Sequence, residues 1–335
     1  MAYPLHEVGF QFLGPELSAM GGIPLKKRLV TISVDYNCMH NDLGSIYTPD
    51  LAVSFKLMKK LEDGSRPLPR SVMGETALSQ DEEELDDKFK FEVASNPDLD
   101  MVIKLVIEES TDYRSPASVT SEAFQSLLAP IFAQEASKLT YPQLITQYLS
   151  ASTFTQMMDP LAVPSIVVAG HTWCSIKTVR FHVWVRGNHA IDLDAKDGDH
   201  VAHGTLFPKI DMGGVDAMIA RGISRMRDRL ASLCEQLDPH FDASPMRQSN
   251  IVFPLELEWD HCRDSFLNAA EETAHMRYKA WYGKEVKRRC LSDDSNYAPV
   301  DSGSASEGDG ACDGAPFTAT RLRKKQRTDG EIIAV

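Results

Sequence analysis

The chain has 335 residues, a length that suits two domains or one α/β domain with long insertions and a tail. Its formal net charge of −13 argues against a protein that coats nucleic acid indiscriminately, although a local basic face is still compatible with it. No run of about 18 apolar residues occurs, so we expect no membrane span and no membrane partner. The cysteines form no Cys-x-x-Cys pair and the start has no signal-like pattern, so we expect a reduced, intracellular protein.

The N-terminal third predicts strands interrupted by an acidic insertion. After an N-terminal segment (1–27), β-branched and apolar residues predict strands within 26–40 and 45–60. Residues 62–97 are rich in Pro, Gly, Ser and acids and contain "DEEELDD", so we expect a disordered insertion there. The nearly continuous apolar run at 100–109 then predicts a third strand, buried on both faces.

The remaining two thirds predict helices around two further strands. Helical spacing of apolar residues appears between 115 and 139, and 163–188 is typical of two strands that break near Gly170. The apolar stripe of 213–237 predicts an amphipathic helix, and a last helix is expected over roughly 259–282. We therefore expect one domain over 28–285 and a disordered tail over 286–335.

Acidic residues at two predicted strand ends raise the question of a metal site. Asp50 begins the strand in "TPDLAVSF", and Glu108 ends the strand in "LVIEES". Two carboxylates on adjacent strands provide the oxygen ligands that Mg²⁺ prefers. Acids are also typical of strand ends at a solvated edge, so the pattern by itself leaves both interpretations open.

The order of elements and these short patterns resemble the PD-(D/E)XK nuclease-like domains of fungi, over roughly residues 28–242. A further match is "IVVAGHTW" at 166–173. The resemblance implies an α/β, restriction-endonuclease-like mixed β-sheet flanked by helices. It also implies a Mg²⁺ site with Asp50 and Glu108 as metal ligands, and phosphodiester cleavage assisted by a lysine.

The sequence departs from that family at the lysine. Where the family has Glu-x-Lys, this chain has Glu108-Glu109-Ser110. Glu109, or a lysine displaced to Lys104 or Lys56, is the candidate substitute. Asp98 follows a proline at the motif's usual distance before Glu108, but it leads directly into the same strand, so Asp50 is preferred. We therefore expect a degenerate nuclease-like protein with weak or no phosphodiesterase activity.

Two partner classes follow from these patterns. Nucleic acid is one candidate partner. One helix face carries arginines at four-residue spacing, at positions Arg221, Arg225 and Arg229. These arginines either contact the nucleic-acid backbone or form a solvated face. The alternative function is a non-catalytic scaffold that binds proteins through the acidic insertion and the tail. The basic cluster "RLRKKQR" at 321–327 is typical of a nuclear-import signal, so we expect a nuclear or cytoplasmic protein.

Overall fold

A computed structural model describes most of the chain. The described residues are 4–14, 17, 28–37, 40–42, 45–58, 70–78, 82–116, 121–128, 151–159, 164–195, 198–247 and 259–293. Residues 1–292 form one compact unit. No described helix is long and apolar enough to cross a membrane.

The described chain contains both strands and helices. The strands are β1 (Val30–Tyr36), β2 (His40–Asp42), β3 (Ser45–Tyr47), β4 (Leu51–Leu57), β5 (Arg70–Leu78), β6 (Met101–Glu109), β7 (Ser165–Val168), β8 (His171–Val185) and β9 (Val201–Phe207). The α-helices are α1 (Pro4–Glu7), α2 (Glu82–Ala94), α3 (Glu122–Leu127), α4 (Ala151–Met157), α5 (Gly213–Leu237), α6 (Ser244–Arg247) and α7 (Trp259–Asp293), with a 3-10 helix at Val8–Leu13.

The main sheet is mixed, and helices flank it. Its strand order is β1-β4-β5-β6-β8-β7, and β9 pairs with β8. Only β5 and β6 run parallel among these pairs, and the others are antiparallel. A parallel pair needs a crossover connection, and α2 provides it between β5 and β6. The α/β class expected from the sequence is therefore confirmed.

The two faces of the sheet carry different cores. Side chains alternate between faces along a strand, so Val72 and Ile103 join the larger cluster, which includes α5 and α7. Met73 and Val102 point the other way, into a smaller cluster with Phe89 of α2. The 3-10 helix lies against the larger-cluster face, since a Cβ on Gly74 would meet the ring of Phe10. The sheet is thus covered on both faces.

The expectation of a disordered insertion over 62–97 is wrong for the residues that the structure describes there. Residues 70–78 form β5, the third strand along the sheet order, and 82–94 form α2. Leu85, Phe89 and Val93 recur every four residues and are buried, whereas Asp87 and Lys88 of the same helix are exposed. The acid-rich composition hid an amphipathic helix. Residues 62–69 and 79–81 lie outside the described part.

This finding also changes which strands are neighbours. We expected Asp50 and Glu108 on adjacent strands, but β5 lies between β4 and β6. The scaffold hypothesis loses its acidic insertion as well, because most of that stretch belongs to the fold.

The expected domain boundaries need smaller corrections. Leu5, Phe10 and Leu13 of the N-terminal segment are fully or almost fully buried, so the compact unit begins before residue 28. Helix α7 continues to Asp293, eight residues beyond the expected boundary at 285. The rest of the expected tail, 294–335, lies outside the described residues.

Candidate functional site

Asp50 lies directly before β4, at the junction with β5. Its Oδ2 accepts a hydrogen bond of 2.6 Å from the backbone N–H of Thr76. Nε2 of His6, on α1, lies 3.4 Å from the same oxygen. Because Leu51 pairs with Gly74 in the antiparallel β4–β5 ladder, Asp50 comes next to Glu75. The sheet register therefore brings two acids together at this point.

Glu75 projects from β5 toward α2, on the opposite face from Gly74. Its side chain is 2% exposed, and Oε2 accepts a hydrogen bond of 2.8 Å from Nζ of Lys88. Glu92, one helical turn after Lys88, places Oε1 3.7 Å from the same ammonium group. Helix α2 thus delivers one cation and one further carboxylate to the pair from the sheet. We call Asp50, Glu75, Lys88 and Glu92 the acidic centre.

The ionisation of the acidic centre is strongly perturbed. Burial, together with the neighbouring Asp50 and Glu92, raises the pKa of Glu75 to about 9, although Lys88 acts in the opposite direction. Burial also raises the pKa of Asp50 and of Glu92. Burial lowers the pKa of Lys88, but the charge and hydrogen bond of Glu75 together with the charges of Glu92 and Asp50 raise it above its ordinary value. One cation therefore stands against three carboxyl groups that cannot all ionise at neutral pH.

Several carboxyl oxygens of the centre lack a donor. Oε1 of Glu75 and both oxygens of Glu92 are buried without an N–H or O–H partner. A side-chain hydrogen bond with Glu92 also contributes to the raised pKa of Glu75. Buried acceptors without a donor are costly, and a cation, a water molecule or a proton would satisfy them. A second positive charge would satisfy these oxygens.

These oxygens fit a hard divalent cation. Mg²⁺ is typically held by one or two carboxylates and completes its shell with water and substrate phosphate. Asp50 and Glu75 would supply two such carboxylates from neighbouring chain segments once Glu75 has lost the proton that its raised pKa retains at neutral pH. Among the described residues, no group of three or more His, Cys, Asp or Glu side chains is placed so that it could hold a metal ion. A Mg²⁺ ion at the centre would therefore depend on these two carboxylates and on water.

The other predicted site residues lie elsewhere. Glu108 of β6 is paired with Arg180 at 2.5 Å and is 3.6 Å from Lys177. Lys104 pairs in register with Glu75 but is bound to Asp86 of α2. Of the expected residues, Asp50 is therefore in the centre and Lys104 is beside it, whereas Glu108 is four residues further along β6.

Glu109 has a structural environment. Both of its carboxylate oxygens accept hydrogen bonds from Arg277 of α7, at 2.6 and 2.8 Å, and both side chains are almost fully buried. The Arg277 guanidinium also lies 4.5 Å from the centre of the Tyr113 ring. This pair fixes α7 to β6. The remaining alternatives are also bound elsewhere, Lys56 to Ser33 and Asp98 to Arg186.

The sequence reasoning missed Glu75, Lys88 and Glu92. Glu75 is the only acid in the nine residues "RSVMGETAL", most of which are buried. An acid inside such a stretch is a signal, because a buried carboxyl group needs a specific reason. The four-residue spacing of Lys88 and Glu92 is a second signal, visible once 82–94 is treated as a helix.

The arginines of α5 hold loops. Arg221 donates to the backbone carbonyl of Asp199, and Arg225 donates to that of Gly187 at 3.1 Å. Arg229 donates to the carbonyl of Asp98 and lies 3.2 Å from a carboxylate oxygen of Asp100. Their donors thus fix the loops before β6 and between β8 and β9, which weakens the expectation that this helix face contacts nucleic acid.

Comparison of the chain with family models, with curated proteins and with solved structures found no significant match.

Proposed function

We propose that the acidic centre is a divalent-metal-dependent site that hydrolyses phosphodiester bonds, and that the protein is a divergent PD-(D/E)XK nuclease. The observation that carries this proposal is the convergence of Asp50, Glu75 and Lys88, in which one buried Glu75 oxygen accepts no N–H hydrogen bond. Two carboxylates and a lysine are the groups that this chemistry requires.

The arrangement of elements supports the restriction-endonuclease-like fold. Three sheet strands, a helix and a fourth strand is the core order that the nuclease resemblance implies, and β1, β4, β5, α2 and β6 follow it. In this assignment Pro49-Asp50 precedes the second strand and Glu75-Thr76-Ala77 is on the third. Ala77 occupies the lysine position of the motif, and Lys88 reaches Glu75 from α2 instead.

The residues have distinct roles in this proposal. Asp50 and Glu75 would hold Mg²⁺, and the Thr76 N–H orients Asp50. When bound, such an ion would supply Lewis-acid activation of the phosphoryl oxygen and of water. The side chain of Lys88 is 43% exposed and its ammonium group reaches Glu75, so it would orient a water molecule or a phosphate oxygen there. Glu92 keeps Lys88 charged and positioned.

The proposal is tested by plasmid nicking. Purified protein is incubated with supercoiled DNA and Mg²⁺ or Mn²⁺, and the relaxed form is quantified. We expect slow nicking by the wild type, because the centre must lose protons before it binds metal, and a loss of at least about 100-fold in Glu75→Gln. Glu108→Gln is the matched control and should retain wild-type activity, since Glu108 pairs with Arg180 outside the centre.

Two results would contradict the proposal. One is nicking by Glu75→Gln at the wild-type rate, which would indicate a contaminating nuclease. The other is the absence of metal-dependent cleavage of DNA and of RNA by folded wild-type protein, which would leave the degenerate, non-cleaving interpretation.

Nucleic acid is the partner that this proposal implies. We also propose that the basic cluster at 321–327, which lies outside the described residues, directs import into the nucleus. In the nucleus the protein would have access to DNA.

A further inference from the structure

A row of titratable side chains crosses the sheet next to the acidic centre. Glu75 of β5 pairs in register with Lys104 of β6, Lys104 pairs with His182 of β8, and His182 pairs with His203 of β9. Register partners on neighbouring strands point to the same face. Lys104 is bound to Asp86, which compensates its charge. The two histidines therefore form a separate group at the far end of the row.

The histidine rings converge. Nδ1 of His182 and Nδ1 of His203 are 2.8 Å apart, so one nitrogen donates a hydrogen bond and the other accepts it through its lone pair. The ring of His182 is stacked on Trp184 with centroids 6.0 Å apart, and the ring of His203 meets the same indole edge-on. Packing against Trp184 thus fixes the orientation of both rings.

The pair is accessible. His203 is exposed, and no further strand pairs with β9 within the described part of the sheet. Solvent therefore reaches His203 from the β9 side, where water could complete the coordination of an ion.

From this geometry we infer that His182 and His203 form a two-ligand site for Zn²⁺ on the sheet face. Neutral imidazole nitrogen is a good ligand for Zn²⁺, whereas Mg²⁺ prefers carboxylate oxygen and water. Two nitrogens bound to one tetrahedral Zn²⁺ are roughly 3.3 Å apart, given Zn–N bonds of about 2.0–2.1 Å. To hold the ion, the two rings would have to separate by about half an ångström from 2.8 Å.

This inference does not depend on the proposed nuclease activity. The acidic centre offers oxygen ligands and the histidine pair offers nitrogen ligands, so different metals separate the two sites. Zn²⁺ bound across β8 and β9 would link the two strands and stabilise their pairing.

The test is a calorimetric titration of the full chain with ZnCl₂ in a background of excess Mg²⁺, which occupies oxygen-donor sites. We expect one Zn²⁺ site, with affinity lowered more than about tenfold in His182→Gln and in His203→Gln, since even residues that only support a ligand contribute about that much. His240→Gln is the matched control, because His240 is an exposed histidine on a turn after α5, and it should bind like the wild type. Equal Zn²⁺ affinity in all four proteins would overturn the inference.

A second measurement uses only wild-type protein, so that misfolding of a variant cannot obscure the result. Histidines are modified with diethyl pyrocarbonate and mapped by mass spectrometry. We expect Zn²⁺ to protect His203 and leave His240 reactive. Modification of His203 at the same rate with and without Zn²⁺ would refute the site.

Discussion

Glu75 is an acid whose charge depends on what is bound beside it. Its pKa of about 9 results from burial and from two neighbouring carboxyl groups. Without a metal, the folded protein therefore holds a proton at Glu75 that the unfolded chain, with a pKa near 4.5, releases. In the folded state, this one side chain therefore links proton binding to stability.

This linkage predicts the pH dependence of stability in the absence of divalent metals. Because the folded pKa is above the unfolded one, the stabilisation is present at low pH and is lost as pH rises toward 9. Asp50 and Glu92 shift in the same direction. We therefore expect the free energy of unfolding, measured with urea in EDTA, to fall between pH 5 and pH 9, and to fall less in Glu75→Gln.

Glu235→Gln is the control for this experiment. Glu235 is an exposed acid whose hydrogen bond from Arg247 lowers its pKa, so it does not titrate between pH 5 and 9. Its variant should follow the wild-type curve. A wild-type stability that rises over this range, or a Glu75→Gln curve parallel to it, would mean that Glu75 is ionised in the folded protein.

At the scale of elements, α5 approaches the sheet closely at a glycine. A Cβ added to Gly222 would collide with the side chain of Met101 on β6, because it would lie only 3.1 Å from the Cβ of Met101. In α7, by contrast, a Cβ on Gly283 would meet no atom within 4 Å. The two glycines occupy helix interiors but have opposite surroundings.

Replacing each glycine by alanine should have opposite effects. Alanine in place of a helix-interior glycine normally stabilises by roughly 0.5–1 kcal/mol, which we expect for Gly283→Ala. Overpacking typically costs about 1–3 kcal/mol, so Gly222→Ala should be destabilising overall. Urea unfolding at one pH measures both. Stabilisation by Gly222→Ala would show that α5 shifts away from β6 without cost.

Elements with an uninterrupted pattern were predictable from the sequence. Helix α5 matches the expected 213–237, and β6 lies within the expected 100–109, because their apolar patterns are long and continuous. Strand β5 and helix α2 were missed because the surrounding Pro, Gly and acidic residues dominate the composition of 62–97. An average over that window hides a nine-residue buried strand.

At the scale of the whole molecule, the sequence suggested Asp50 but not its partners. Pro49-Asp50 before a strand is a local pattern, and the structure places this acid in the centre. Which strand lies beside β4 depends instead on pairing between distant segments, which local patterns do not specify. The pairing of β4 with β5 replaces Glu108 by Glu75, and the assignment of Lys88 follows from it.

The proposed nuclear import is also a property of the whole chain. We expect a fluorescent fusion of the full sequence to accumulate in the nucleus and one lacking residues 318–335 to spread into the cytoplasm. A third fusion keeps the full length and replaces only Lys324 and Lys325 by alanine, and it should also spread into the cytoplasm. Nuclear accumulation by all three fusions would refute the role of the basic cluster.

The acidic centre is assembled from segments that are close together along the chain. The contact of Asp50 with Thr76 spans 26 residues, and that of Lys88 with Glu75 spans 13, whereas the Arg277–Glu109 pair spans 168. Short separations carry a smaller entropic cost of loop closure, so they form early when a chain folds. During synthesis on the ribosome, all four side chains of the centre would emerge before α5 and α7 are made. The centre could therefore assemble first, and the two long helices would pack on the opposite face of the sheet afterwards.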